Sequence, residues 1–209
     1  MSSREVFSRI ARRYDRLNRI LSLGRDDDWR RTARAHLPPG RVLDLGAGTG
    51  AANPDMGDRQ VVALDPAPEM LDLNPARLRV VGVGESLPFA DETFDGVFSA
   101  YVFRNLDSVG VTLAEITRVL RPGGVAAIVD LGRPESGWRR SLHTMGTAVV
   151  LPIAGLLAGA PGEYWYLHRS LGSLPQPRVL FARAPLIVEK VWRMGPMGFV
   201  YGVVLKKRE

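Results

Sequence analysis

At 209 residues, 45% of them hydrophobic and 24% charged, the chain has the size and composition of one globular domain with an ordinary core. It holds no cysteine and only three histidines, His36, His143 and His168, which excludes a disulfide framework and a thiolate metal site, and no metal is expected. The net charge of +6 is concentrated, with ten arginines and five acids in residues 1–34, so an anionic partner is expected at that segment rather than over the whole surface.

The opening MSSREVFSRIARRYDR carries charge where a secretory signal needs an apolar stretch, and a cytoplasmic location is expected. Two arginine-rich helical patterns follow, at about 4–20 and 26–36. The second starts on Asp26, Asp27 and Asp28, which suit a helix N-terminus, and Pro38, Pro39 and Gly40 end it. Short apolar runs then recur at 41–46, 61–65, 78–83, 94–101 and 124–131, with a helical pattern at 113–120 that stops at Arg121-Pro-Gly-Gly124. Continuous rather than alternating apolar runs imply strands buried on both faces, hence a doubly wound α/β fold with a mostly parallel sheet.

Residues 142–162 hold no acid, lysine or arginine, but two prolines and four glycines interrupt them. They read as a buried or membrane-facing amphipathic helix rather than a span. The last two apolar runs, 185–192 and 199–207, are separated only by RMGPMG, which permits a hairpin but no parallel crossover. The whole of 1–209 reads as one domain, with a basic helical segment at 1–36 and a helical insertion at 138–172 on the substrate side.

The most informative string is Val42-Leu-Asp-Leu-Gly-Ala-Gly-Thr-Gly50, a strand running into a glycine-rich turn whose amides can approach a ligand closely. Gly46, Gly48 and Ala51 also satisfy a dinucleotide fingerprint, and Asp65 lies at the right distance to hold ribose hydroxyls in either case. Asp44 tips the choice. A carboxylate two residues before the first glycine disfavours a pyrophosphate and suits the ammonium group of a methionine moiety, which points to S-adenosylmethionine. Nothing in the sequence supplies hydride chemistry.

Several further strings resemble the ubiquinone/menaquinone biosynthesis C-methyltransferases: 6–31, 42–50, ALDPAPEML (63–71), ESLPFADETFDGV (85–97), FRNL (103–106), EITRVLRPGG (115–124), DLGRP (130–134) and EYWYLHRSL (163–171). The resemblance implies a Rossmann-like class I fold of seven strands with an antiparallel last one. It implies that Asp44, Gly46, Gly48, Thr49 and Gly50 cradle the methionine part of the cofactor. Asp65 and Pro66 would lie at the ribose, Met70 beside the adenine, Gly84 and Glu85 at the adenine edge, and Ala100 and Tyr101 facing the cofactor from the fourth strand. The implied activity is methylation of a polyprenylated quinol ring carbon.

The departures from that pattern are specific. Val83 stands where the family places Asp or Asn, and Ala100 where a small hydroxyl residue is common, so two side-chain hydrogen bonds to the cofactor are expected to be missing. Only ten residues separate Gly50 from Val61, including Pro54 and Gly57, so the helix after the glycine turn must shrink to a turn or two or vanish. The stretch 175–186 is equally short. A divergent paralogue, or a binding protein without turnover, is therefore the alternative reading.

Methyl transfer from a sulfonium to carbon requires alignment and desolvation rather than a covalent nucleophile. A phenol titrates near about 10, so a residue must stabilise the phenolate or remove its proton. The resemblance puts Arg104 at the pocket, where its permanent charge would stabilise the phenolate, with Asp15 a candidate base and Tyr14 positioning the ring. His143, His168 and Tyr166 are further candidates. The expected partner is a small lipophilic aromatic acceptor, with peripheral association to anionic membrane on its inner face. Nucleic acid is not expected, since exposed interleaved aromatics and a reader motif are lacking.

Overall fold

The computed structural model describes Ser22 and residues 24–132, 137–138, 145, 176–182 and 184–209. Tyr14, Asp15, His143, Tyr166 and His168, the expected helix at 4–20 and nearly all of 138–172 lie outside these residues. The elements in chain order are α1 (Asp26–Arg34), β1 (Arg41–Leu45), β2 (Gln60–Asp65), α2 (Pro68–Leu71), β3 (Leu78–Val81), β4 (Phe94–Ala100), α3 (Val109–Val119), β5 (Leu120–Leu131), α4 (Pro177–Leu180), β6 (Ile187–Met194) and β7 (Val200–Lys206).

The seven strands form one sheet in the order β3-β2-β1-β4-β5-β7-β6. The first five pair in parallel, while β7 runs antiparallel to both neighbours, in register Ile128 to Val203 and Val191 to Val203. The short 195–199 connection is the hairpin that the spacing permits.

Two cores sandwich the sheet, which is why its strands read as unbroken apolar runs. Leu43, Val97 and Ile128 point to one face and meet Leu113 and Ile116 of α3. Their neighbours Val42, Phe98 and Ala127 point to the other and meet Trp29, Ala33 and Leu37 of α1 and its exit. Helix α3 begins where the Ser108 hydroxyl accepts from the Val111 amide, and it buries Thr112, Leu113, Ile116 and Val119, the helical spacing of one stripe.

Helix α1 differs from a solvated basic helix. Its three acids occupy the first turn and Arg31 and Arg34 the last, as the helix dipole favours. Arg30 and Arg34, however, are buried, and exposed Arg31 is paired with Asp27 at 3.0 Å and Asp28 at 2.8 Å. Arg25, just before the helix, is exposed, and the other six arginines of residues 1–34 lie outside the described residues.

The helix after the glycine turn, expected to shrink to a turn or two or vanish, is reduced to a single turn, Asn53–Asp55. Arg59 braces the connection instead: Nε donates to the Pro38 carbonyl (2.8 Å), Nη2 to Leu37 (2.7 Å) and Nη1 to Met56 (3.0 Å). At the sheet edge, Leu78 and Val81 of β3 stay about half exposed. Among the described residues no helix is long and apolar enough to cross a membrane.

Candidate cofactor and acceptor site

The strand order reverses between β1 and β4, so their C-terminal ends open a crevice, the usual ligand position in such sheets. Gly46 leaves β1 at φ +71°, a left-handed conformation, and a Cβ there would stand 2.2 Å from Val102 Cγ2. Only glycine fits this close approach. The Gly46 and Ala47 amides both donate to the Leu64 carbonyl, at 2.8 and 3.0 Å, which turns the chain back over β2.

Two side chains then fix the turn. Asp65 Oδ2 accepts from the Gly48 amide and Oδ1 from the Ala67 amide, each at 2.9 Å. Asn74 donates to the Gly48 carbonyl at 3.0 Å, while its own Oδ1 accepts from Asn53 Nδ2 (2.7 Å) and the Ala76 amide (2.9 Å). Anchored this way, the turn keeps its shape with little helix behind it.

The crevice has a volume of about 420 Å³. Gly46, Gly48, Asp65, Pro66, Met70, Gly84, Glu85, Ala100 and Tyr101 line it, as do Val83, Val102, Asn105 and Asp107. Asp44 and Thr49 line a smaller adjoining pocket instead. Gly50 lines neither and packs toward Pro75 and Asn74. Glu85 builds the wall: its Oε1 accepts from the amides of Asp107 (2.9 Å) and Ser108 (3.2 Å), tying the loop after β3 to the start of α3.

Asp44 is buried, and burial, then the nearby Asp65, pushes its carboxyl up to about 7, against the opposing pull of Arg34 and Arg30. Its Oδ2 has no hydrogen-bond partner among the described residues. Burial also raises Asp65, opposed by the Ala67 and Gly48 amides. Tyr101, at φ +63°, is the strained residue of the site; burial raises its phenol well above the ordinary value, so it stays a neutral donor.

Arg104 is not a cleft-lining residue. It sits in the helical turn Phe103–Asn105 just after β4, with Nη1 3.4 Å from Asp130 Oδ1 at the end of β5, and its backbone amide 3.4 Å from Asp130 Oδ2. Burial raises the Asp130 carboxyl, and Arg104 is the first influence opposing it. Asp130 was not anticipated, although the DLGRP string places an acid at the C-terminal end of a strand. Asn74 and the inward-facing Arg30 were missed too, the first for want of any motif, the second because α1 reads as a charged surface helix.

Sheet order, antiparallel last strand and a crevice at the switch point with paired acids define a Rossmann-like class I methyltransferase. The fold agrees with a methyltransferase from Thermotoga maritima (TM-score 0.71, 16% identity, 98% of this chain and 99% of that one) and one from Aquifex aeolicus (0.59, 21%, 92% and 97%). The chain belongs to the ubiE/COQ5 methyltransferase family, whose profile matches residues 2–184. It is 38% identical to a demethylmenaquinone methyltransferase of Deinococcus radiodurans (84% of this chain, 80% of the relative) and 37% identical to one of Thermus thermophilus (85% and 88%). A third relative of that name, from Beutenbergia cavernae, is 34% identical over 97% of this chain and 88% of its own. The protein is thus an enzyme that transfers a methyl group.

Proposed function

We propose that the protein methylates a ring carbon of a polyprenylated quinol of the demethylmenaquinol type, with S-adenosylmethionine as donor. The observation that carries the donor is the acid pair about the glycine turn, one carboxylate with a buried oxygen that has no partner among the described residues (Asp44) and one at the cleft wall (Asp65). These groups fit a ligand that is cationic at one end and bears a ribose diol further on. The relatives named for demethylmenaquinone support the acceptor.

S-adenosylmethionine supplies an electrophilic methyl group on its sulfonium. The remaining work falls to the chain: Asp65 holds the ribose, Met70 flanks the adenine, and Gly84 and Glu85 border it. Arg104, which sits between the crevice-lining Val102 and Asn105 with one arm fixed by Asp130, is the cation assigned to the phenolate of the acceptor. Tyr14 positions the ring and Asp15 takes its proton. The arginines of residues 4–19 hold the protein peripherally on anionic membrane, where a prenylated acceptor resides.

The test pairs calorimetric titration of S-adenosylhomocysteine with methylation of a short-chain demethylmenaquinol analogue. Binding with turnover is expected. Binding without turnover would support the second reading, a cofactor-binding protein, which the shortened connection after the glycine turn favours. Absence of binding would overturn both.

A further inference from the structure

The turn that carries Arg104, Phe103–Asn105, is held from two sides by acids that belong to other strand ends. On one side Asp130, at the end of β5, stands 3.4 Å from the Arg104 amide and 3.4 Å from its Nη1. On the other, Glu85, in the loop after β3, accepts through Oε1 from the amides of Asp107 at 2.9 Å and Ser108 at 3.2 Å. Contacts as long as those of Asp130 lie beyond the usual range for an N–H donor and an oxygen acceptor, whereas those of Glu85 fall within it. Glu85 is therefore the tighter of the two holds.

Glu85 is itself fixed. The loop that bears it is bound along α3: Glu115 Oε2 accepts from the Leu87 amide at 2.7 Å, and Arg118 donates to the carbonyls of Leu87 (3.0 Å) and Phe89 (2.7 Å). One residue before Glu85, Gly84 leaves no room for a side chain, since a Cβ there would stand 2.9 Å from Thr112 Cγ2 of α3 and 3.3 Å from Leu106 Cδ2, next to the Arg104 turn. Loop, helix and turn are thus packed on one another without slack. The same loop lines the crevice through Val83, Gly84 and Glu85, while Val102 and Asn105 line it on either side of Arg104. The wall beside the donor and the segment that bears the cation form one unit, and Glu85 is the polar link between them.

We propose that Glu85 is a positioning residue for methyl transfer, holding the turn so that Arg104 stands at the acceptor, while its own carboxylate touches neither reactant. The inference rests on the role given to Arg104 above. It gives Glu85 different work from bordering the adenine, because Oε1 is taken by two backbone amides at the start of α3, where a negative charge also suits the helix dipole. Without that acceptor the two amides lose their partner, the turn is left with the long Asp130 contacts, and the cation shifts. A misplacement of about 1 Å costs on the order of 10²-fold in rate.

The experiment uses the full chain with Glu85→Ala, Glu85→Gln and Glu85→Asp, each checked for an intact thermal transition. Calorimetry with S-adenosylhomocysteine gives the affinity and the number of competent donor sites, and methylation of the short-chain demethylmenaquinol analogue gives kcat per competent site. In Glu85→Ala, kcat per site should fall about 10- to 100-fold while affinity for S-adenosylhomocysteine stays within about twofold. Glu85→Gln keeps an oxygen that can accept from both amides and should recover most of that loss. A parallel loss of affinity and rate would make Glu85 a donor contact, and an unchanged kcat per site would leave it a helix anchor alone. Either result overturns the inference while the proposed function stands. If the unaltered protein binds S-adenosylhomocysteine but does not methylate the analogue, the acceptor assignment fails and takes the inference with it. If Glu85→Ala does not fold, Glu85→Asp, one methylene shorter and unable to reach both amides from the same backbone, decides by the same two readings.

Discussion

Arg104 and Asp130 face one another across the ends of β4 and β5, with Nη1 3.4 Å from Oδ1 and side chains 10% and 1% exposed. A carboxylate this deeply buried depends on the adjacent cation, since breaking a buried pair from one side leaves an uncompensated charge. Arg104 is therefore structural before it is anything else, and its substitution has to be read in two channels.

Arg104→Ala is expected to cost about 3–5 kcal/mol of stability by stranding Asp130, and to reduce turnover by about 10²–10³-fold where protein remains folded. Arg104→Lys keeps the charge but not the planar fork, so it should fold nearly as well and recover only part of the rate. Affinity for S-adenosylhomocysteine should be unchanged in the lysine variant. Urea unfolding, methylation of the quinol analogue and calorimetry separate these effects. Full activity in Arg104→Lys would reduce the residue to a counter-ion for Asp130.

Asp65 carries two loads, the amides of Gly48 and Ala67 and the proposed ribose contact. Asp65→Ala should weaken S-adenosylhomocysteine binding by about 1.5–3 kcal/mol, because the ligand loses its acceptor and the glycine turn loses the clamp that shapes it. Asp65→Asn keeps one acceptor and should lose less. The two variants titrated side by side check this; equal affinity in all three proteins would remove Asp65 from the site.

The order of elements was largely legible because parallel strands buried on both faces produce continuous apolar runs, and because Asp44, the glycines and Asp65 follow in a fixed sequence. The shrinkage of the helix after Gly50 was legible too, from chain length alone. What replaces it was not. Arg59 reaches three carbonyls, two of them more than twenty residues away in sequence, and Asn74 reaches the Gly48 carbonyl 26 residues back, contacts that leave no local pattern. The inward position of Arg30 left no signal, because periodicity shows which residues share a helix face but not what that face meets. Arg30 packs over Tyr101, itself placed by a left-handed turn that its residue type disfavours.

The basic segment supplies the next expectation. With Arg30 and Arg34 buried and Arg31 paired, the proposed membrane attachment is expected to draw on exposed Arg25 and on the arginines at positions 4–19. Sedimentation with anionic liposomes should fall as ionic strength rises through the range where the Debye length shrinks from about 30 to 10 Å. Charge reversal at Arg12 and Arg13 should weaken it, whereas Arg31→Glu should not. Equal loss for both, or no sedimentation at low salt, would count against attachment through this segment.

The last expectation concerns Asp44, whose carboxyl is raised from 3.8 to about 7 in the fold, burial acting first and Asp65 second. Below about pH 4 the group is neutral in both folded and unfolded chains and carries no penalty. As pH climbs toward 7, the unfolded chain gives up the proton while the folded chain keeps it, so the unfolded form is favoured, and the loss is complete once pH passes the folded value. A shift of this size corresponds to about 4 kcal/mol. Asp44→Asn should therefore be the more stable protein at about pH 8, and its advantage should shrink steadily toward about pH 4.5. Ligand binding should respond in the opposite sense. An ammonium group favours the ionised carboxylate, so affinity of the unaltered protein for S-adenosylhomocysteine should rise with pH and level off above about 7, by up to about tenfold per pH unit below it. In Asp44→Asn that rise should vanish and affinity should be lower throughout. Urea unfolding and calorimetry across this range read both halves. A flat affinity profile for the unaltered protein would mean that Asp44 does not meet the ammonium group, whatever its effect on stability.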